Sequence, residues 1–142
     1  MIIGIDLDNT LIDYNNVFWF TALVTGTLVE SESESIIENG NPIPSKNGIK
    51  KYLLSQKNGD YKWESLQGQV YGTYIHHAQI FPGAANFVLH CRRRGEKVFV
   101  LSHKTEFGHH DKNQTSLRQA ALNFLETNDL FSDSFGITRD DV

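Results

Sequence analysis

Two aspartates, Asp6 and Asp8, follow the apolar opening of the chain directly in the stretch MIIGIDLDNTLIDY. Residues two apart on a strand share a face, so the two carboxylates point roughly the same way unless the chain turns sharply between them. Two like charges held together are costly without a cation. The spacing therefore predicts a charged site that needs a cation at the end of the first strand.

The apolar run from Met1 to Ile5 predicts the strand that positions these carboxylates. A near-continuous apolar run is typical of a parallel strand that is covered on both faces, and such strands carry binding groups at their carboxyl ends. A second apolar strand, KVFVLS, ends in Ser102. A third short strand is expected in FSDSFGIT, residues 131–138.

Helix signals alternate with these strands, as an α/β fold with a parallel sheet requires. Pro82 suits the start of one helix and Gly95 its end. Thr115 or Ser116 is the expected cap of a later helix. The two ends of the chain thus form one α/β core.

A helical insert is predicted between the two strands. Asn15 or Asn16 is the expected cap of its first helix, and Ser45 caps a later one. The acidic stretch ESESES, residues 30–35, and the following IIENGNPIP predict a solvated, turn-rich connection. Most aromatic residues of the insert are expected to form its own small core rather than to stack on a substrate: Trp19, Tyr52, Tyr61, Trp63, Tyr71 and Tyr74.

Length and composition restrict the classes of function. The 142 residues suffice for one domain, and the net charge of -4 argues against general binding of nucleic acid or an anionic membrane. A single cysteine, Cys91, permits no internal disulfide bond. The longest apolar stretch is too short to cross a bilayer, and no basic leader precedes Asp6. We therefore expect a soluble, cytoplasmic protein.

The segment Asp6-Leu7-Asp8-Asn9-Thr10 follows an apolar strand, and Ser102 closes a later one. This arrangement resembles the haloacid dehalogenase superfamily of phosphohydrolases, whose first motif is matched in full and whose second motif is matched by Ser102. More narrowly, DLDNTL with LQGQVYG and SHKT resembles small bacterial members linked to surface-sugar metabolism. The resemblance implies a Rossmann-like three-layer α/β/α core, residues 1–13 and 81–142, with a small helical cap at residues 14–80.

The resemblance also assigns roles to these residues. It implies a Mg²⁺-dependent phosphomonoester hydrolase that acts on a small metabolite such as a sugar phosphate or a nucleotide. Asp6 would attack phosphorus and bind Mg²⁺, and Asp8 would be the acid and base, with its backbone carbonyl on the metal. Thr10 would hold the turn, keep Asp8 oriented and belong to the phosphate-binding group. Ser102 and the amides of Leu7 and Asp8 would bind the phosphate.

The chain departs from the family pattern after these two motifs. The family completes its site with a lysine and then with an acidic motif that follows a further strand and binds the metal. No lysine follows Lys112 in this chain. Asp140 and Asp141 form an acidic pair, but no apolar strand leads to them, so these two aspartates are weak candidates for the metal ligands. Lys104, two residues beyond Ser102, is the candidate substitute for the missing cation and a further phosphate ligand. Missing motifs predict either a longer protein or a partner, such as a second copy joined through the exposed edge of the first strand.

Two alternative functions follow from these gaps. One is a domain without turnover that binds Mg²⁺ and phosphate weakly or needs a partner chain to complete its site. The other is a phospho-accepting receiver domain, which is disfavoured because receivers carry the acceptor on a later strand and have no helical insert.

A histidine-rich loop follows the second strand. His103, His109, His110 and Asp111 lie within nine residues, and imidazole is a common ligand of transition metals. His109 and His110 are adjacent, however, which is not the one-face spacing of a helical metal pair. A solvated loop over the mouth of the active site is therefore favoured over a zinc site.

Overall fold

Ten helices and strands follow one another in the part of the chain that the computed structural model describes, residues 1–38 and 40–142. In chain order they are β1 (Ile2–Asp6), β2 (Ile12–Asp13), α1 (Asn15–Val24), α2 (Ser33–Ile36), α3 (Lys46–Leu54), α4 (Gly59–Tyr71), β3 (Gln79–Ile80), α5 (Pro82–Arg93), β4 (Lys97–Leu101) and α6 (Leu117–Thr127). The protein is therefore mixed α/β. Within these residues, no helix combines the length and apolarity that a membrane crossing requires.

β1 and β4 form a parallel pair in which Asp6 lies beside Leu101. Ile5 is buried on one face of β1, whereas Ile2 on the other face is 74% exposed. The expectation that the first strand is covered on both faces is therefore wrong. In residues 1–38 and 40–142 the strand has β4 as its one neighbour, and only alternate side chains reach the core.

β2 and β3 form a short antiparallel ladder that pairs Ile12 with Ile80 and Asp13 with Gln79. The ladder brings together the chain segments that enter and leave the helical region. Inside this region α1, α3 and α4 pack on one another. Their shared core includes a stacked pair of aromatic rings, Phe18 and Trp63, with centroids 5.4 Å apart.

Several predicted helix ends are confirmed. The Ser45 hydroxyl accepts a hydrogen bond from a first-turn amide of α3 at 3.0 Å, and Ser116 does the same for α6 at 3.2 Å. Pro82 is the first residue of α5 and Gly95, just after its end, has a positive φ of 71°. The first helix differs, because the Asp13 carboxylate, rather than Asn15 or Asn16, accepts a hydrogen bond from its first amide.

The acidic connection is more ordered than its composition predicts. Residues 30–36 form a 3₁₀ turn, Glu30–Glu32, followed directly by α2. The Glu32 carboxylate accepts a hydrogen bond from the Val29 amide at 2.8 Å, and Ile36 is buried against the core. A local cap and one apolar anchor thus stabilise this turn. Residue 39, in the connection that follows, lies outside the described residues.

The predicted third strand is absent from residues 131–138. The segment consists of turns, in which the Ser132 amide donates to Asp129 and the Phe135 amide donates to Ser132. Gly136 has a positive φ of 64°, which interrupts an extended backbone. Since these amides bond within their own segment, they form no ladder with β1 or β4.

Candidate functional site

The carboxyl ends of β1 and β4 lie at the same edge of the parallel sheet. The Leu7 amide donates to the Leu101 carbonyl at 2.9 Å, which extends the pairing one residue beyond Asp6. Ser102 follows immediately on the neighbouring strand. The structure thus brings Asp6, Asp8 and Ser102, predicted from the sequence, to one edge.

Asp8 is held by two side chains through the same carboxylate oxygen. The Tyr14 hydroxyl donates a hydrogen bond to Oδ1 at 2.7 Å. The Lys104 Nζ lies 2.9 Å from Oδ1, and the side chains of Lys104 and Asp8 are 3% and 24% exposed. Asp8 is therefore fixed in orientation at the boundary between the core and solvent.

The Lys104 ammonium is buried and incompletely bonded. Its ion pair with Asp8 at 2.9 Å engages one oxygen, and no other acceptor within the described residues reaches Nζ. The ring of Tyr71 lies 4.1 Å from Nζ, measured to the centroid. Burial lowers the pKa of Lys104, while Asp8 acts in the opposite direction. An ammonium has three N–H donors, and buried donors that lack an acceptor are costly, so the donors not used by Asp8 are available to an anionic ligand.

Tyr14 is a permanent hydrogen-bond donor at this site. Its side chain is almost fully buried. Burial first, and then the adjacent Asp8 charge, raise the pKa of Tyr14 far above its usual value of 10.0. The phenol therefore keeps its proton and donates to Asp8 at neutral pH.

The Asp6 carboxylate is exposed and uncommitted. Within residues 1–38 and 40–142 it takes part in no hydrogen bond or ion pair, and the Asp8 carbonyl accepts no hydrogen bond there. Mg²⁺ is commonly held by one or two protein oxygens together with waters and a phosphate oxygen. Across the same residues no group of three or more His, Cys, Asp or Glu side chains converges. The Asp6 carboxylate and the Asp8 carbonyl are oxygen ligands of the kind that a hydrated Mg²⁺ takes.

The predicted phosphate ligands differ in their availability. The Leu7 amide is engaged with Leu101, so it is not a free phosphate donor, contrary to the prediction. The Asp8 amide has no acceptor within the described part of the chain. The exposed Ser102 hydroxyl accepts a weak hydrogen bond from the Lys104 amide at 3.4 Å, which leaves its proton free to be donated. Thr10 is exposed, and its hydroxyl forms no hydrogen bond with the described residues.

Two cavities adjoin Lys104. One, of about 220 Å³, lies between α4 and the loop after β4 and reaches Asp8. The other, of about 170 Å³, is lined by Leu7, Ser102 and Arg118. Lys104 lines both, so its ammonium lies between the sheet edge and the helical region.

The histidine-rich loop lies against α4 beside the larger cavity. His110 Nε2 lies 3.0 Å from a Glu64 carboxylate oxygen, while His103 and His109 line the cavity. Asp111 accepts hydrogen bonds from two amides of its own loop. Burial acts to raise the pKa of Asp111, but these amides outweigh it and hold the pKa below its usual value. The loop is therefore internally ordered.

The closest packing between this loop and α4 occurs at two glycines. A Cβ atom on Gly108 would lie 2.6 Å from the Cα of Gly68. Because the obstructing atom belongs to the backbone, we expect Gly108→Ala to lower the free energy of unfolding by about 1–3 kcal/mol, measured by urea denaturation.

Gly83→Ala is the matched control, since a Cβ there meets nothing within 4 Å. Its position in the first turn of α5 predicts a gain of about 0.5–1 kcal/mol. A Gly108→Ala variant as stable as the wild type would show that the helix and loop are not closely packed.

Asp141 of the acidic pair near residue 140 is engaged in contacts of its own segment and of β4. Its carboxylate pairs with Lys97, the first residue of β4, at 3.4 Å, and accepts hydrogen bonds from Thr138. Val142, the next residue, lines the smaller cavity together with Leu7 and Ser102. The Asp141 carboxylate therefore holds the C-terminal segment on β4.

Sequence reasoning missed Tyr14 and did not assign Tyr71 to the site. A signal existed for the first of these, because a buried tyrosine hydroxyl requires a partner and Asp8 lies six residues before it. No comparable signal points to Tyr71, whose contact with Lys104 depends on the packing of α4.

Carboxylates, a hydroxyl and a buried ammonium thus converge at one sheet edge beside a cavity. Comparisons with protein-family models, curated proteins and solved structures find no match to this chain. The chemistry of the site therefore follows from its own residues.

Proposed function

We propose that this protein is a Mg²⁺-dependent phosphomonoester hydrolase of the haloacid dehalogenase type, acting on a small metabolite through an aspartyl phosphate. The observation that carries the proposal is the buried Lys104 ammonium, which lies 2.9 Å from Asp8 and meets no second acceptor among the described residues. It lies next to the edge that presents Asp6 and Ser102. A phosphate dianion supplies the acceptors that this group lacks.

A haloacid dehalogenase-like core would be built on β1 and β4. In this proposal, residues 1–13 and 81–142 belong to a three-layer α/β/α core and residues 14–80 to its cap. The parallel pairing of β1 with β4 supports the core. The β2–β3 ladder supports the cap, since it ties together the two connections of the helical region.

The first half-reaction transfers the phosphoryl group to the protein. An oxygen of Asp6 forms a bond to phosphorus while the bond from phosphorus to the leaving alcohol breaks. Asp8, in its protonated form, gives its proton to the leaving oxygen. The products of this step are the free alcohol and an aspartyl phosphate on Asp6.

The second half-reaction releases inorganic phosphate. Asp8, now a carboxylate, takes a proton from a water molecule whose oxygen attacks phosphorus, and the bond to Asp6 breaks. Because Tyr14 and Lys104 share Oδ1 of Asp8, the second oxygen, Oδ2, is the one left to carry the proton. Ser102 and Lys104 hold the phosphate oxygens and stabilise the charge that develops on them.

Mg²⁺ would be held by the Asp6 carboxylate and the Asp8 carbonyl. When bound, it neutralises the repulsion between the Asp6 carboxylate and the phosphate dianion. Lys104, whose Nζ lies 2.9 Å from the Asp8 carboxylate, would be the fixed cation of the site beside the metal.

The test of this proposal is phosphate release from p-nitrophenyl phosphate by the full chain. We expect turnover on the order of 1 s⁻¹, lost with EDTA and restored by added Mg²⁺. A folded protein that releases no phosphate from any ester would contradict the proposal.

A second candidate function is a domain that binds phosphate and needs another chain for turnover. The pairing of β1 on one side favours it, because β4 is the one neighbour of β1 within the described residues and a strand with a free edge can pair with a further strand. Phosphate binding without turnover, or turnover that appears only at concentrations where sedimentation detects a dimer, would support this candidate instead.

A further inference from the structure

The larger cavity adjoins the groups that would handle the leaving alcohol. It reaches Asp8 and Lys104 on one side and is lined by α4 and the loop after β4 on the others. If Asp8 protonates the leaving oxygen, the rest of the leaving group lies in this cavity. Its walls therefore select the substrate.

The size of the cavity limits the leaving group. Its volume of about 220 Å³ lies below the ~300–1,000 Å³ typical of pockets for drug-sized ligands. The contact between Gly68 and Gly108 fixes the spacing of helix and loop, since the two backbones already touch. A cavity of this size favours one small ring or a short chain over a base joined to a ribose, part of which would lie outside its walls.

The aromatic lining is unsuited to stacking on a nucleobase. Tyr71 is the one Phe, Tyr or Trp residue among the cavity's described lining residues. Its ring is already engaged, with Lys104 Nζ 4.1 Å from the centroid and Tyr14 in an edge contact at 5.0 Å. Nucleobases are usually held on free aromatic faces.

The polar lining instead suits hydroxyl groups. The Gln67 amide, which can both donate and accept, forms no hydrogen bond with any described residue. His103 and His109 add ring nitrogens. Sugar hydroxyls likewise both donate and accept. Apart from Lys104 and these histidines, the ionisable side chains of the wall, Asp8 and Glu64, are acidic, which disfavours a second phosphate.

We infer that the cavity between α4 and the loop after β4 selects the monophosphate of a single sugar or small polyol over nucleoside phosphates and sugar bisphosphates. The inference rests on the proposed function for the location of the phosphate at the sheet edge. Gln67 is the residue assigned to the sugar hydroxyls.

Turnover by the full chain with Mg²⁺ tests this selection. We expect kcat/KM for the best hexose, pentose or glycerol monophosphate to exceed that for AMP, UMP and hexose bisphosphates at least tenfold. In Gln67→Ala, the ratio of kcat/KM for that sugar phosphate to kcat/KM for p-nitrophenyl phosphate should fall about fivefold, the effect of one lost hydrogen bond. Gln69→Ala is the matched control and should leave this ratio unchanged, because Gln69 lines a different groove.

Binding provides a readout that does not depend on turnover. In Asp6→Asn, titration with the same sugar phosphate and Mg²⁺ should shift the side-chain amide signals of Gln67 in NMR spectra, and those of Gln69 should stay in place. AMP should produce no such shift.

The outcomes separate this inference from the proposed function. Turnover that depends on Asp6 but favours nucleotides, or a Gln67→Ala variant with an unchanged ratio, would overturn the inference and leave the hydrolase intact. If no ester is turned over, the hydrolase proposal fails, and the Gln67 shift alone decides whether the cavity binds a sugar phosphate.

Discussion

Replacing Asp6 by asparagine is expected to lower Mg²⁺-dependent phosphate release by about 10⁴-fold or more, since the variant loses its nucleophile. An amide is a poor nucleophile towards phosphorus and also a weaker ligand for Mg²⁺. The fold should not change, because the Asp6 side chain is exposed and takes part in no hydrogen bond or ion pair within residues 1–38 and 40–142. Steady-state assays with p-nitrophenyl phosphate, together with circular dichroism, measure both effects.

Asp140→Asn is the matched control for this substitution. Asp140 is an exposed aspartate in the 3₁₀ turn Arg139–Asp141, and like Asp6 its side chain takes part in no hydrogen bond or ion pair with the described residues. The activity of the Asp140→Asn variant should equal that of the wild type. If Asp6→Asn kept a tenth or more of the activity, Asp6 would not be the nucleophile and the aspartyl-phosphate mechanism would fail.

Replacing Lys104 by methionine is expected to lower kcat/KM about 100-fold, the typical effect of losing one fixed donor to developing charge. Methionine keeps much of the side-chain volume and removes the ammonium. Because burial lowers the pKa of Lys104, the charged form is disfavoured in the folded state. The thermal midpoint of Lys104→Met at pH 7 should therefore equal or exceed that of the wild type.

The stability of the wild type, compared with that of Lys104→Met, should depend on pH in one direction. With a folded-state pKa below the usual 10.5, the unfolded chain binds more protons between the two values, so wild-type stability rises with pH in that window. Any stability advantage of Lys104→Met should shrink there. As the pH rises, wild-type activity should start to decline before pH 10.5 is reached, because Lys104 with its lowered pKa loses its proton.

Lys50→Met controls for the loss of a lysine that contacts an aromatic ring. Lys50 lies over Trp63 at 5.6 Å, on the exposed surface of the helical region. The Lys50→Met substitution should leave kcat/KM unchanged. A Lys104→Met variant that is fully active and less stable would assign Lys104 a purely structural role.

The sequence predicted the parts of the site that depend on local pattern. The apolar runs located β1 and β4, and the ends of these runs located Asp6, Asp8 and Ser102. Hydroxyl caps and Pro82 located the starts of three helices, since capping involves residues within one turn of each other.

The parts that depend on tertiary packing were not predictable in this way. The sequence suggested Lys104 as a substitute for the missing cation but did not indicate that its side chain is buried. The side chain is buried because Tyr71 of α4 covers it. The FSDSFGIT segment has the composition of a strand end but forms turns, because its amides find acceptors nearby. The engagement of the Leu7 amide likewise follows from the register of β1 on β4, which no motif specifies.

The pairing of β1 with β4 has a consequence for folding kinetics. Nearly the whole helical region lies between these two strands in the chain, so their parallel contact closes a long loop and contributes heavily to the contact order. The helices of residues 14–80 can form through local contacts before this loop closes. An intermediate with only those helices folded would contain Tyr71 and the α4 wall of the cavity but would lack both the loop that forms the other wall and the edge that joins Asp6 to Ser102, so the candidate site would assemble only with the final closure of the chain.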